Sequence, residues 1–235
     1  MMLFSMKSMS VRKVDELRDE GQEEEEEEEE VEDCRRDVII REEEEDGPAW
    51  TSLTVWRKSL VLSCEGFTVI DSNGGLAFRV DNYNERRPHQ LTLMDASGNP
   101  LLTMCRPKKL RLVDKLWLVY EGEVGERSSS KKEIKPIYCV RKHVNILQPN
   151  PDVLADVYSG PSDKKRAYVI YGRYAERSCR VLDDERRQVV AEIKRKEPIN
   201  HGASFGLEVF LLIVRPGFSP AFAMAMVLLL DQMFS

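Results

Sequence analysis

Ser219-Pro220-Ala221-Phe222-Ala223-Met224-Ala225-Met226-Val227-Leu228-Leu229-Leu230-Asp231-Gln232-Met233-Phe234 is the stretch on which the fold turns. With the apolar residues from 207 onward it looks at first like a membrane span, but Arg215, Pro216, Gly217 and Pro220 cut the region in two. The uninterrupted apolar run, Ala221 to Leu230, holds 10 residues. That is about 15 Å of helix, and a span takes about 20 residues. Its flanks also lack the aromatic and basic anchors of a span. No transmembrane segment is expected, and a membrane-inserted tail is the competing reading. The same residues read well as a capped helix over 220–234. Ser219 suits the N-cap, Pro220 the first helical position, and Ala, Met and Leu propagate the helix. A helix apolar on every side has to be buried on every side. In a chain otherwise made of strands, one place for it is the inside of a closed sheet, which also removes exposed sheet edges.

Upstream, from Trp50, the texture is one of short β-like runs separated by turn signals. Thr51 to Trp56 alternates; Gly66 to Ile70 and Leu76 to Val80 flank Asp71-Ser72-Asn73-Gly74-Gly75, rich in residues that tolerate positive φ. The pattern returns in Gln90 to Met94 and Leu101 to Cys105 around Asp95-Ala96-Ser97-Gly98-Asn99-Pro100. It returns again in Cys179 to Leu182 and Arg187 to Ile193 around Asp183-Asp184-Glu185. Each time a two-residue apolar step (Val69-Ile70, Leu93-Met94, Val181-Leu182) runs into an Asp that opens the turn. Lys115 to Glu121, Ile137 to Lys142, Val153 to Tyr158, Ala167 to Arg173 and Phe205 to Val214 bring the candidates to about twelve. The expected fold is mainly β: a closed antiparallel barrel of about twelve strands around a central hydrophobic C-terminal helix.

The net charge of −6 hides an asymmetry. Residues 1–49 carry 20 acidic and 7 basic side chains, and 50–235 carry 21 and 28, so the first segment stands at −13 and the second at +7. The run Glu23 to Glu30 and the later Glu42 to Asp46 offer too few apolar side chains to offset the entropy of ordering. Residues 1–49 are therefore expected to be a disordered acidic tail and 50–235 the barrel domain, with Gly47-Pro48 at the boundary. The tail is either a solvated extension or an acidic lid that competes with anions for the basic body. Glu126 to Lys135, with three consecutive serines, reads as an exposed loop. Cys34, Cys64, Cys105, Cys139 and Cys179 are odd in number and widely spaced, which indicates neither a zinc site nor a disulfide framework and fits a reducing compartment. Met1 to Ser10 has no basic segment followed by an apolar run, so no secretory signal is expected.

Several ordered motifs carry a family pattern. Trp56-Arg57-Lys58-Ser59-Leu60, Gly66-Phe67-Thr68-Val69-Ile70-Asp71 and Phe78-Arg79-Val80-Asp81-Asn82-Tyr83 resemble the N-terminal signature of the plant LURP-one-related family. Leu93-Met94-Asp95, Leu101-Leu102-Thr103, Lys108-Lys109-Leu110 and Trp117 continue it. Pro216-Gly217-Phe218, Ala221 to Met226 and Asp231-Gln232-Met233-Phe234 resemble its C-terminal signature. The resemblance covers roughly 50–235 and implies a tubby-like barrel around a central helix. It also implies distant kinship with phospholipid scramblase-like and tubby proteins, the latter described as membrane-tethered transcription regulators, and a setting in plant defence and stress responses. It supplies no catalytic motif.

The residues themselves point away from catalysis. His89, His143 and His201 are isolated in sequence, Gly74-Gly75 lies in a hairpin with no helix after it, and the acidic pairs Asp183-Asp184 and Glu121/Glu123 fall at turns or strand ends. No enzyme, cofactor or metal is expected. Arg166 to Tyr171 only faintly resembles an RNA-recognition strand and lacks its glycine. Basic groups are the better clue: Arg106, Lys108, Lys109 and Arg111; Lys194, Arg195 and Lys196; Lys131, Lys132, Lys135, Arg141 and Lys142; and Lys164, Lys165 and Arg166. They either keep a β-surface soluble or bind anions, and Arg106, Lys108, Lys109, Arg111, Lys194 and Lys196 are the candidate anion-binding residues. Each Lys or Arg near an anionic leaflet adds about 1 kcal/mol, and nucleic-acid binders usually add helices or stacking platforms. The expected partners are anionic phospholipid headgroups or an unidentified protein, engaged by a monomer in the cytoplasm, at a membrane or in the nucleus. A nucleic-acid-associated regulator is the alternative, and an enzyme on the barrel rim the remotest one.

Overall fold

The computed structural model describes residues 49–61, 64–82, 90–107, 116–124, 135–143, 152–197 and 205–234. The acidic tail, the loop from Glu126, His89, His201, Lys131, Lys132 and Cys34 lie outside the described residues.

Twelve strands follow one another: β1 (Thr51–Trp56), β2 (Glu65–Ile70), β3 (Leu76–Asn82), β4 (Gln90–Asp95), β5 (Pro100–Cys105), β6 (Leu116–Glu121), β7 (Tyr138–Lys142), β8 (Val153–Tyr158), β9 (Tyr168–Arg173), β10 (Ser178–Asp183), β11 (Gln188–Arg195) and β12 (Val209–Val214). A 3-10 turn, Tyr174–Glu176, sits between β9 and β10, and one helix, α1 (Pro220–Phe234), closes the chain. Every strand pairs antiparallel with its sequence neighbours, and β1 pairs with β12 from Thr51↔Val214 to Trp56↔Val209, so the meander closes into a barrel. The difference from expectation is small. Phe205 to Glu208 form a turn before β12 rather than its beginning.

The three Asp-opened turns behave alike, for a local chemical reason. The Asp71 carboxylate accepts the N–H groups of Asn73 and Gly75, each at 2.8 Å. Asp95 accepts the backbone and side-chain N–H of Asn99, both at 2.8 Å, and Asp183 accepts the N–H of Glu185 and Arg186. A carboxylate capping its own turn in this way replaces ladder bonds lost at the strand end. In each hairpin the register shifts at the apolar step before the Asp, between Val69/Ile70, Leu93/Met94 and Val181/Leu182. These bulges bend the strand into the turn.

α1 fills the barrel. Phe222 through Asp231 are all buried, and Phe222 through Leu230 join inward residues of every strand, among them Leu53, Val69, Val80, Leu93, Met104, Trp117, Val140, Val157, Ile170, Val181, Ile193 and Leu212, in one core. The chain reverses into it through Arg215-Pro216-Gly217-Phe218. There the Phe218 N–H donates to the Arg215 carbonyl at 3.1 Å and Gly217 takes φ +82, which the second central position of such a turn requires. Ser219 then caps the helix, its Oγ accepting the Phe222 N–H at 3.3 Å.

Odd-numbered strands all run the same way, so the barrel has two distinct mouths. The N-mouth, where α1 begins, carries the three Asp-opened hairpins. The C-mouth, where α1 ends, is where the odd-numbered strands finish and the even-numbered ones begin.

Candidate functional site

The C-mouth gathers one set of charged, aromatic and apolar side chains in two layers. The inner layer surrounds the end of α1. Lys142, at the end of β7, donates to the Met233 carbonyl at 2.7 Å and lies 4.1 Å above the Phe234 ring. Arg106, just past β5, donates to the Gln232 carbonyl at 3.5 Å and stacks on Trp117 at 4.7 Å. Cations at the carbonyl end of a helix meet its partial negative charge. Arg106 therefore faces the helix, because it shares the inward parity of Leu102 and Met104, both buried in the core.

Asp231 completes this layer. It is 4% exposed and sits in the last turn of α1, the end where the helix dipole disfavours a negative charge. Arg57, which follows β1, offsets that with Nε at 3.1 Å from Asp231 Oδ1, and the Tyr174 hydroxyl donates to the same oxygen at 3.2 Å. Burial, then the Asp231 charge, pushes the Tyr174 phenol well above its ordinary range, so it remains a donor. Arg177 holds Tyr174 in place, with its guanidinium 4.3 Å from that ring and 4.6 Å from Phe210, and its Nε donates to the Leu207 carbonyl at 2.9 Å.

The outer layer lies where β11, β12 and β1 meet the C-mouth. Four of the six exposed large apolar side chains among the described residues gather at this mouth: Trp56 (39%), Leu60 (53%), Phe205 (38%) and Leu207 (43%). Lysines are interleaved with them. Lys58 lies 5.6 Å over the Trp56 ring; Lys196 lies 5.4 Å over Phe205 and donates to Thr54 Oγ1 at 3.1 Å. The outward, half-buried residues of β12, Val209, Leu211 and Ile213, continue the apolar strip along the wall, with Lys194 and Thr54 in register on either side of Leu211.

Local sequence explains how this layer is displayed. The Thr68 hydroxyl donates to the Lys58 carbonyl at 2.7 Å, and the Ser59 hydroxyl to Asp81 Oδ1 at 2.6 Å, so the β1–β2 connection is pinned down on β2 and β3. A Cβ on Gly66 would collide with the Val80 carbonyl and press on Ser59, so glycine is needed beneath the pinned segment. Buried Ser59 points in while Lys58 and Leu60 stand out.

The candidate anion-binding residues separate accordingly. Lys194 and Lys196 belong to the outer layer, where Lys194 also pairs with Glu192 at 2.7 Å. Arg106 lies on the opposite wall, since β5 and β11 are six strands apart in either direction around the ring. Lys108, Lys109 and Arg111 lie outside the described residues. Of the other basic groups, Lys135 is at the N-mouth and Arg141 and Lys142 at the far end of β7. Lys164, Lys165 and Arg166 line an N-mouth cleft of about 360 Å³ with Asp163, Asp183 and Glu185. That cleft mixes both signs of charge, and Lys165 and Arg166 are already paired with Glu185 and Asp184. Arg57, Lys58, Trp56, Phe205 and Asp231 join the candidates only through the structure, although Trp56-Arg57-Lys58 in one run is a signal legible in the sequence.

His143, isolated in sequence, meets Asp156 at 2.9 Å on the outer wall, and Asp156 also binds Arg166 at 3.2 Å. No nucleophile joins that pair in any contact among the described residues, and no group of three or more potential metal ligands occurs among them. Cys64, Cys105, Cys139 and Cys179 are free thiols; burial pushes Cys179 up to about 12, which keeps it protonated and unreactive. No helix of the described residues is long and apolar enough to cross a membrane.

Comparison with known proteins agrees with this architecture. The LURP-one-related family model matches residues 51–231. Protein LURP-one-related 17 of Arabidopsis thaliana is 53% identical over 191 residues, covering 80% of this chain and 86% of that protein. LURP-one-related 8 of the same plant is 46% identical, covering 80% and 90%, and LURP-one-related 5 is 42% identical, covering 84% and 87%. An X-ray structure of another Arabidopsis thaliana protein superposes with a TM-score of 0.56 at 24% identity, over 79% of this chain and 92% of that one, a likeness of fold alone. The matched span runs from the first strand to the last turn of the plugging helix, and the chain belongs to the LURP-one-related family.

Proposed function

We propose that this protein is a non-enzymatic binding module whose outer C-mouth layer docks on an anionic phospholipid surface, in the defence and stress setting that membership of the plant family implies. The observation that carries the reading is the interleaving of Trp56, Leu60, Phe205 and Leu207 with Lys58 and Lys196 on one rim. Tryptophan and phenylalanine with an apolar body and lysine with a flexible charged tip suit the headgroup boundary, where one end of each group is dry and the other wet. Exposed apolar side chains rimmed by charge also mark interaction surfaces generally. Nucleic acid would want base-stacking aromatics in a cationic groove, whereas here each aromatic is already covered by a lysine.

Sedimentation of the full chain with vesicles of phosphatidylserine in phosphatidylcholine tests this. Binding is expected, weakening as salt rises, and absent with phosphatidylcholine alone. Lys58→Gln and Lys196→Gln should each weaken it by about 1 kcal/mol, and Trp56→Ala should weaken it even at high salt. Equal sedimentation of wild type and all three variants would overturn the assignment of this rim.

A further inference from the structure

We infer that Arg57 couples the outer layer to the end of the central helix, so that an anionic surface bound at the rim is sensed inside the barrel as a loosened last turn of α1. The inference rests on the rim's binding an anionic surface and names the regulation of that same site.

Arg57 stands between two carboxylates of different character. Its Nε holds buried Asp231 at 3.1 Å, while its Nη1 lies 3.7 Å from Glu208, an exposed residue beside Leu207. Its backbone N–H is tied to the Glu208 carbonyl at 2.8 Å, and it lies between Trp56 and Lys58 of the outer layer. The side chain is 37% exposed, so a phosphate arriving at the rim can reach it. Guanidinium groups bind phosphate in a fork as readily as carboxylate. Nε is committed to Asp231 and Nη1 leans on Glu208, so a phosphate that takes the guanidinium in a fork through Nε and its neighbouring Nη competes directly with Asp231 for Nε.

Losing Arg57 has a consequence for Asp231 that losing Glu208 does not. Glu208 rehydrates at once; Asp231 remains in the helix end with its charge opposed by the dipole and less compensated than before. A second line of contacts reaches the same carboxylate. Leu207 is exposed at the rim, its carbonyl binds Arg177, Arg177 stacks on Tyr174, and Tyr174 donates to Asp231. Both routes from the outer layer converge on one oxygen, Asp231 Oδ1. The N-terminal half of α1 is held instead by aromatic packing at the other mouth.

Amide hydrogen exchange followed by mass spectrometry tests the coupling on the full chain. With phosphatidylserine vesicles, amides of residues 228–233 should exchange about tenfold faster, the factor that loss of one charged hydrogen bond gives a local opening, while those of 222–226 stay unchanged. Phosphatidylcholine vesicles should leave both sets unchanged. Arg57→Gln without vesicles should already show the fast exchange at 228–233, and Glu208→Gln should not. Arg57→Lys keeps a cation if the glutamine variant does not fold, and should lie between wild type and the vesicle-bound state. Sedimentation of wild type with the anionic vesicles and no change at 228–233 would overturn the coupling while leaving the rim's role intact. Failure to sediment at all would overturn both.

Discussion

The two ends of α1 are sealed by opposite kinds of chemistry. At the N-mouth Phe222 stacks on Tyr138 at 3.9 Å, Phe218 meets Tyr168 at 5.3 Å, and the four rings close the opening with no buried carboxylate among them. Burial pushes the Tyr168 phenol up to about 12, so that ring stays uncharged across the physiological range. At the C-mouth the seal is made of Arg57, Arg106, Lys142, Arg177, Tyr174 and Asp231. An apolar seal needs only matching shapes and is worth the area it hides. A charged seal gains little net stability, since desolvation roughly cancels attraction, but it fixes which groups must face each other and it answers to ions outside. The N-mouth is where the barrel is held shut; the C-mouth is where it can be addressed.

The largest effect that tests this contrast is at the apolar end. Phe222→Ala removes a 5% exposed ring that touches Tyr138, Tyr168 and Phe218, and should cost about 3–5 kcal/mol in urea unfolding. At the charged end Asp231→Asn keeps an acceptor for Tyr174, removes a charge the dipole opposes and frees Arg57, which is partly solvated already. It should cost only about 1–2 kcal/mol, measured the same way. If the asparagine variant proves the more damaged of the two, the distinction between a holding end and an addressable end is lost. Ser219→Ala comes third. It removes the cap on the Phe222 N–H and should cost about 1 kcal/mol, with no change in binding to anionic vesicles, since the N-mouth plays no part there.

The apolar end was the more legible in sequence, and the reason is distance along the chain. Ser219-Pro220 before a run of Ala, Met and Leu announces a helix start through neighbours three and four residues apart, and the structure begins α1 at Pro220. The Asp-opened turns were readable on the same ground, since Asp95 and Asn99 settle their bonds within five residues. The bulges at Val69/Ile70, Leu93/Met94 and Val181/Leu182 coincide with the apolar steps that the hairpins share. The charged end depends on pairs that no local pattern encodes. Lys142 meets residue 233, Arg106 residue 232, and Arg57 residue 231, all across the barrel. By charge alone Arg106 reads as a surface cation; the burial of Leu102 and Met104, which share its parity, and its bond to the Gln232 carbonyl place it on the inner side. Phe205 to Glu208, apolar enough to extend β12, turn away instead and leave Phe205 and Leu207 exposed at the rim.

The smallest prediction separates carboxylates satisfied locally from the one satisfied across the barrel. Asp95 sits in an exposed N-mouth turn, and its side-chain bond from Asn99, then the Asn99 backbone bond, hold its pKa below the ordinary 3.8. A carboxyl depressed on folding contributes stability that is fully present above its unfolded pKa and is lost as pH falls through the lower folded value. The wild-type barrel should therefore lose a small increment on acidification below about pH 4, and Asp95→Asn should abolish that increment without touching binding at neutral pH. Carbon-detected NMR titration of the Asp95 carboxyl reads it directly: Asn99→Ala should move the midpoint up toward the ordinary value. Because Asp95 draws its partners from its own turn, Phe222→Ala should leave that midpoint where it is in every molecule still folded. A midpoint that shifted with Phe222→Ala would mean the turns of the N-mouth report on the barrel as a whole, and the separation between self-contained turns and a mouth wired to the helix would fail at its simplest point.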